Sequence, residues 1–297
     1  MRTSQHNNIA AGLFLVASVC GGQQWVVTRT DADIAADLEG THVAIALERT
    51  SIVGGEPLVL TVTVGNDAQG NKVLCTDAAC LGWSIRSTGG ATVSARHQPR
   101  GGDISMSATS VAPHASRSFT VVAPDAAGIT EPGSYVIAVR YAEPGWADRL
   151  GVDAEPRTFT VLPRDEAALA RQVEKLTDAA ASPTSLLSAD LAVQALAAIR
   201  YPVSEAALCA SMARNPIMGA KYLVPRLEAS GGAEAVTCLA DRLEKPGLDA
   251  VVIAPAVARM VKMQDDPVLR LKMENALTDA CAKATPDTPW LQAACSK

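Results

Sequence analysis

Hydrophobic and polar positions alternate through residues 41–163. Leu58, Leu60, Val62 and Val64 share one side of a run, and Val59, Thr61 and Thr63 share the other. That period of two marks a half-buried strand. The same reading predicts strands over 42–48, 83–86, 91–95, 118–122, 134–141 and 157–162. Turn chemistry separates them: Gly54, Gly55, Glu56 and Pro57, then the polar stretch 65–71, then Thr88, Gly89 and Gly90 as a hairpin signal, then Glu131, Pro132 and Gly133. About seven short strands with regular turns predict a β-sandwich.

After Pro163 the period becomes helical. Ala167, Leu169, Val173 and Leu176 can line one face of a first helix, and residues 182–185 interrupt it. A second helix follows from Ser188. Further helices are predicted over 204–214, 216–229, 232–244, 248–263 and 266–284. The breaks between them carry Pro or Gly, ordinary stop signals for a helix. Ser204 can cap one helix, and Asp265 or Asp266 can cap the helix opened by Pro267. The fold class expected is therefore multidomain all-β plus all-α: a sandwich over 41–163 and antiparallel helical hairpins over 164–297. Residues 23–40, with Asp31, Asp33, Asp37 and Glu39, read as a linker.

Three stretches of the β region resemble bacterial extracytoplasmic immunoglobulin-like domains: LERTSIVGGEPLVLTVTVGN, ITEPGSYVIAVRYAE and PRTFTVLP. The resemblance implies an Ig-like β-sandwich, a fold that hosts binding, adhesion and inhibitor modules and fixes no single activity. The Cys and Trp core signature of antibody domains is absent, because Cys75 and Cys80 lie too close in sequence to join two sheets. In the helical region ADLAVQALAAIRYPVSEAALCASMAR resembles HEAT-type repeats, whose hairpins stack to bury their apolar faces. No repeat period is clean, and an irregular helical bundle is the alternative.

The amino terminus has its own character. Arg2 precedes an apolar run over residues 9–19, and small residues follow it. This is the pattern of an export signal over 1–22. The run is too short for a membrane span, which needs about 20 residues. Ala17, Ser18, Val19, Cys20 and Gly21 resemble a bacterial lipobox, with Ala17 and Val19 departing from its usual residues. Cys20 is thus a lipidation candidate, with cleavage near Gly21 or Gly22 as the alternative. The location expected is outside the cytoplasm, in the periplasm or anchored at the outer membrane, with membrane attachment only through Cys20.

Six cysteines remain: Cys75, Cys80, Cys209, Cys238, Cys281 and Cys295. An even number in an exported chain fits a disulfide framework. Proximity along the chain suggests Cys75 with Cys80, Cys209 with Cys238, and Cys281 with Cys295. Zinc sites prefer closer spacings, and none occurs.

Composition narrows the function. The chain has 297 residues, mean hydropathy +0.14, 4% aromatic residues and a formal net charge of −5. Its cores must therefore be mostly aliphatic. No basic cluster offers phosphates a binding face, so no nucleic-acid partner is expected. No nucleophile elbow, metalloprotease helix, P-loop or dinucleotide fingerprint occurs, and no cofactor is expected. His97 and His114 with Asp103 carry no metal-ligand spacing. The functional hint is the loop 141–150 between the last two strands. Its Tyr141, Trp146 and Arg149 are the candidates for contact with a partner, since Trp and Arg are enriched in interface hot spots; packing of Trp146 within the protein is the alternative. Trp83 and Tyr135 read as core. The expectation is a non-enzymatic envelope protein that binds another protein, in one form an inhibitor or immunity protein against a periplasmic toxin or hydrolase. A structural scaffold of the envelope is a second expectation, and a hydrolase using His97, Asp103 and Ser105 a third.

Overall fold

The fold is described from a computed structural model, which covers residues 12–15, 26–29, 31–96, 108–142, 150–181, 186–244, 247, 249–285, 288, 292 and 295. Strands fill the amino-terminal part and helices the carboxy-terminal part. Close contacts divide the chain into two units. One comprises residues 1–51, 59–121 and 133–160; the other comprises 52–58, 122–132 and 161–297.

In the amino-terminal region, β1 (Gly12–Leu15) pairs antiparallel with β2 (Val26–Arg29). Helix α1 (Asp31–Leu38) follows, within the stretch read as linker. It buries Ile34 alone, so its amphipathic signal is a single residue set among acids.

The strands β3 (Thr41–Leu47), β4 (Ser51–Val53), β5 (Leu58–Asn66), β6 (Lys72–Cys75), β7 (Leu81–Ser87), β8 (Thr92–Arg96), β9 (Ala108–Val111), β10 (Ala115–Ala123), β11 (Gly133–Tyr141), β12 (Val152–Asp153) and β13 (Arg157–Leu162) form three sheets. Their orders are β10-β5-β3, β4-β13-β11-β7-β8 with β12 beside β11, and β6-β9. All seven predicted strands are present within a few residues. Alternation gives each its buried side: Val43 and Ile45 in β3, Leu60, Val62 and Val64 in β5, and Tyr135, Ile137, Val139 and Tyr141 in β11. Trp83 and Tyr135 are core residues, as expected, and the Tyr135 ring lies 5.8 Å from that of Phe159. The hairpin β7–β8 turns at 88–90, with a bulge between Ile85 and Arg86. Asn66 is fully buried and holds the turn after β5. Its Nδ2 donates to Gly70 O (2.8 Å) and Val111 O (3.0 Å), and its Oδ1 accepts from Ala68 N (3.0 Å). A buried amide with its hydrogen-bonding capacity used this way fixes a turn at little net cost.

The helices are α2 (Glu166–Ala181), α3 (Leu186–Ala198), α4 (Glu205–Arg214), α5 (Pro216–Ser230), α6 (Ala233–Glu244), α7 (Ala250–Met263) and α8 (Pro267–Ala282). Their ends follow the local signals. Ser204 Oγ accepts from Ala207 N at 3.2 Å, and Asp266 Oδ1 accepts from Val268 N at 2.8 Å. Gly231 closes α5 in the left-handed region at φ +62°. Neighbouring helices pack as the pairs α2–α3, α4–α5 and α6–α7. Contacts between alternate helices then make two rows, α2–α4–α6–α8 and α3–α5–α7. The core between them is almost wholly Ala, Val, Leu, Ile and Met, including Leu196, Leu223, Leu239 and Met260. Gly219 lets α5 approach α4 closely, since a Cβ there would lie 2.6 Å from the Met212 Cα.

The boundary of the helical unit differs from the one expected at residue 163. The turn at Gly54 and Gly55 belongs with the helices. Gly55 O accepts from Arg200 N at 2.8 Å, and Gly54 N donates to Leu162 O at 3.1 Å. Gly55 has φ +105°, and a Cβ on it would meet Arg164 Nη1 at 2.8 Å and Leu169 Cδ1 at 3.3 Å. Glycine is needed both for conformation and for close approach. The short 3₁₀ turn Pro124–Gly128 packs against α3 in the same unit.

Candidate functional site

Tyr141, expected at a binding surface, is a core residue instead. It is 3% exposed, and its hydroxyl accepts from Cys75 N at 2.9 Å. Ala142 N donates to Cys80 O at 2.9 Å, so the end of β11 holds both ends of the 75–80 loop. The ring is buried because Tyr141 falls on the inward register of β11, opposite Leu81. Trp146 and Arg149 lie outside the described residues, as do Cys20, His97, Asp103 and Ser105. The exposed His42 ring places Nδ1 2.9 Å from Asp67 Oδ2 and lies across Gly65. His114 is exposed in a turn at φ 57°. Among the described residues no three His, Cys, Asp or Glu side chains converge as metal ligands, and no helix is long and apolar enough to cross a membrane.

The three cysteine pairs suggested by proximity are disulfides: Cys75–Cys80, Cys209–Cys238 and Cys281–Cys295, with Cα separations of 6.3, 6.0 and 5.6 Å. The first closes the loop under Tyr141, and the second joins α4 to α6 across one row of helices. Three such bonds fit an oxidising compartment.

The helical unit carries a cleft of 610 Å³, within the ~300–1,000 Å³ typical of ligand pockets. One wall is the end of α3 and the turn after it, with Ala197, Ala198, Arg200, Tyr201 and Pro202. The other is a face of α5, with Tyr222, Pro225, Arg226, Ala229 and Ser230. On α5 these residues recur at three- and four-residue steps, so one helical face presents them together. Pro225 sits inside α5, where it has no N–H to give the preceding turn.

Arg226 joins the walls. Its Nη1 donates to Leu196 O and to Ile199 O (3.3 Å), and its Nη2 donates to Tyr201 O (3.0 Å). Leu196 O belongs to the last turn of α3, where a cation is favoured, and Ile199 O and Tyr201 O lie in the turn that follows. Burial, and then the charge of Arg200, hold its pKa below the ordinary arginine value. Arg164 crosses behind the turn, donating from Nη2 to Arg200 O at 2.8 Å and from Nε to Glu166 at 2.6 Å. Its hydrogen bond to Glu166 raises its pKa. Ser230 Oγ donates to Glu205 Oε1 at 2.6 Å, and Glu205 Oε2 accepts from Ala235 N at 2.8 Å.

The exposed guanidinium of Arg200 makes no hydrogen bond or ion pair among the described residues, and the hydroxyls of Tyr201 and Tyr222 have no hydrogen-bond partner there. The lining thus holds two guanidinium groups and no carboxylate. No local pattern in the sequence marks these residues as a site. The available signal was Tyr222 and Arg226 four apart on one helix, facing an Arg-Tyr pair at the preceding break.

No known protein family and no curated protein matches the sequence. Among solved structures, a β-glucosidase from Listeria innocua in complex with glucose aligns with 42% of this chain and 16% of its own, at 10% identity and TM-score 0.28. The sporulation control protein Spo0M from Bacillus subtilis aligns with 47% of this chain and 55% of its own, at 16% identity and TM-score 0.26. A polysaccharide lyase aligns with 88% of this chain and 37% of its own, at 10% identity and TM-score 0.21. The chain therefore spans about a sixth of the β-glucosidase it matches. Likenesses this slight carry no argument about fold or activity.

Proposed function

We propose that this chain works outside the cytoplasm as a non-enzymatic module that binds another protein, with neutralisation of a periplasmic toxin or hydrolase as the form of that task. In this reading the paired sheets are an Ig-like sandwich and the helices a short HEAT-like stack. Two antiparallel sheets with alternating buried positions support the first. Two rows of helices built from consecutive hairpins support the second, because stacked hairpins touch their alternate neighbours in this way. Stacks of this kind bind along the surface of one row, and the cleft between α3 and α5 lies on such a row. That cleft is the observation that carries the reading. The export signal over 1–22 and lipidation at Cys20 belong to the same proposal, and the three disulfides support it.

The test places a photo-crosslinking residue at Tyr222 in the producing cell, with a control at Asp279 on α8. A single protein adduct at position 222 and none at 279 is expected. No adduct at either position, or equal labelling at both, would remove the reading. The intact mass of the mature protein checks the compartment: leader removal, any lipid on Cys20, and the loss of six thiol hydrogens appear in one measurement.

A further inference from the structure

We infer that the cleft between α3 and α5 takes an extended acidic peptide segment of the partner, with a carboxylate seated at Arg200. The inference rests on the binding reading above and goes further by naming what is bound.

Charge complementarity carries it. The protein as a whole is acidic, at −5, yet the cleft lining is cationic and contains no acid. Arg226 is already committed to carbonyls at the end of α3 and in the turn after it, so it satisfies acceptors that would otherwise repel an anion. Arg200 is not committed to any described residue. It offers the planar fork of donors that suits a carboxylate. The hydroxyls of Tyr201 and Tyr222 add donors to the same lining, and Lys221 Nζ lies 5.2 Å from the centre of the Tyr222 ring. A wall rich in donors and poor in acceptors selects a ligand rich in acceptors.

Polarity of the lining sets where the carboxylate sits. Glu205 holds Ser230, so negative charge is disfavoured beside that hydroxyl and the ligand carboxylate belongs at Arg200. The rest of the lining includes Ala197, Ala198, Pro202, Pro225 and Ala229, which suit small apolar side chains. An open trough lined by apolar residues beside Arg200 fits an extended chain better than a compact free anion.

Fluorescence anisotropy with the full disulfide-bonded chain tests this. The probe is a fluorescein-labelled peptide in which Glu alternates with Ala and Pro. Comparison peptides replace Glu by Gln or by Lys, and glutarate serves as a small competitor. The acidic peptide should bind about tenfold more tightly than the Gln peptide, and binding should weaken with added salt. Arg200→Glu should lose about tenfold in affinity, whereas Arg270→Glu on α8 should change nothing. Matching unfolding midpoints for both variants would show that the fold is kept. Equal binding of the Glu and Gln peptides, or unchanged binding by Arg200→Glu, would overturn the inference. Glutarate binding as tightly as the peptide would overturn it too, and would assign the cleft to a free dicarboxylate. A partner still cross-linked through position 222 in any of these cases would leave the binding reading standing while this one falls.

Discussion

The two units solve one problem, a chain with few aromatic residues, in opposite ways. The strand-rich unit concentrates its large rings: Trp83, Tyr135, Tyr141 and Phe159 are all nearly or fully buried there. Among the described residues the helical core contains no fully buried aromatic residue; Tyr222 only packs against it from the cleft. It gains its packing from many small contacts among Ala, Leu, Val and Met, with α4 and α5 brought together at Gly219. Sheets stand about 10 Å apart and need long side chains to fill the space. Helices with Ala and Gly at their contacts can approach closely and need none. Among the described residues the buried rings therefore fall in the sheets rather than at the close helix contacts.

Truncating a ring should break this contrast most sharply. Phe159→Ala should cost about 3–5 kcal/mol, and Leu239→Ala in the helical core about 2–5 kcal/mol. Denaturant titration gives the sizes. Hydrogen exchange read by mass spectrometry should place the first loss in the strands and the second in the helices; accelerated exchange in both units from either variant would erase the distinction.

Cross-links come next. The Cys209–Cys238 bond closes 29 residues and Cys75–Cys80 closes 5. Chain entropy then predicts that replacing the first pair by Ser costs about 3.5 kcal/mol and the second about 2 kcal/mol. Urea midpoints of the two double variants measure the order. Equal losses would mean that the short loop contributes through Tyr141 and Cys75 rather than through its length.

Glycine contacts sharpen the comparison further. Gly219→Ala should destabilise by about 1–3 kcal/mol, because its new Cβ meets the Met212 backbone and α4 must shift. Gly65→Ala should cost less. The obstacle there is the exposed His42 ring, which can swing away and forfeit only its contact with Asp67, worth about 0.2–1 kcal/mol. Thermal unfolding of both variants decides between backbone and side-chain obstruction.

The smallest effects belong to the caps. Ser204→Ala should cost about 1 kcal/mol through the lost bond to Ala207 N. Ser204→Asp should restore most of it. A midpoint unchanged by Ser204→Ala would show that packing alone sets the start of α4.

Much of this architecture is legible in the sequence because its causes are local. Alternation of Leu58 to Val64 makes one strand whatever lies beside it, and Pro216, Gly231 and Pro267 begin or end helices through their own backbone chemistry. The cysteine pairs follow proximity because short loops close easily. The short strands β4, β6, β9 and β12 were not legible: two to four residues carry too little pattern, and a partner strand alone makes them pair. The inward turn of Tyr141 was legible in the alternation that places Tyr135, Ile137 and Val139 in the core, and only its place at the start of a loop hid it. The recruitment of Gly55 was not legible, because its O finds its donor at Arg200 only after the helices assemble. The cleft belongs to the same class. Arg200 and Tyr222 are unremarkable residues at a helix end and on a helix face, and they become one site because α3 packs on α5. Sequence determines elements through the preferences of neighbouring residues; which faces meet, and what stands free between them, depends on long-range packing that no local preference encodes.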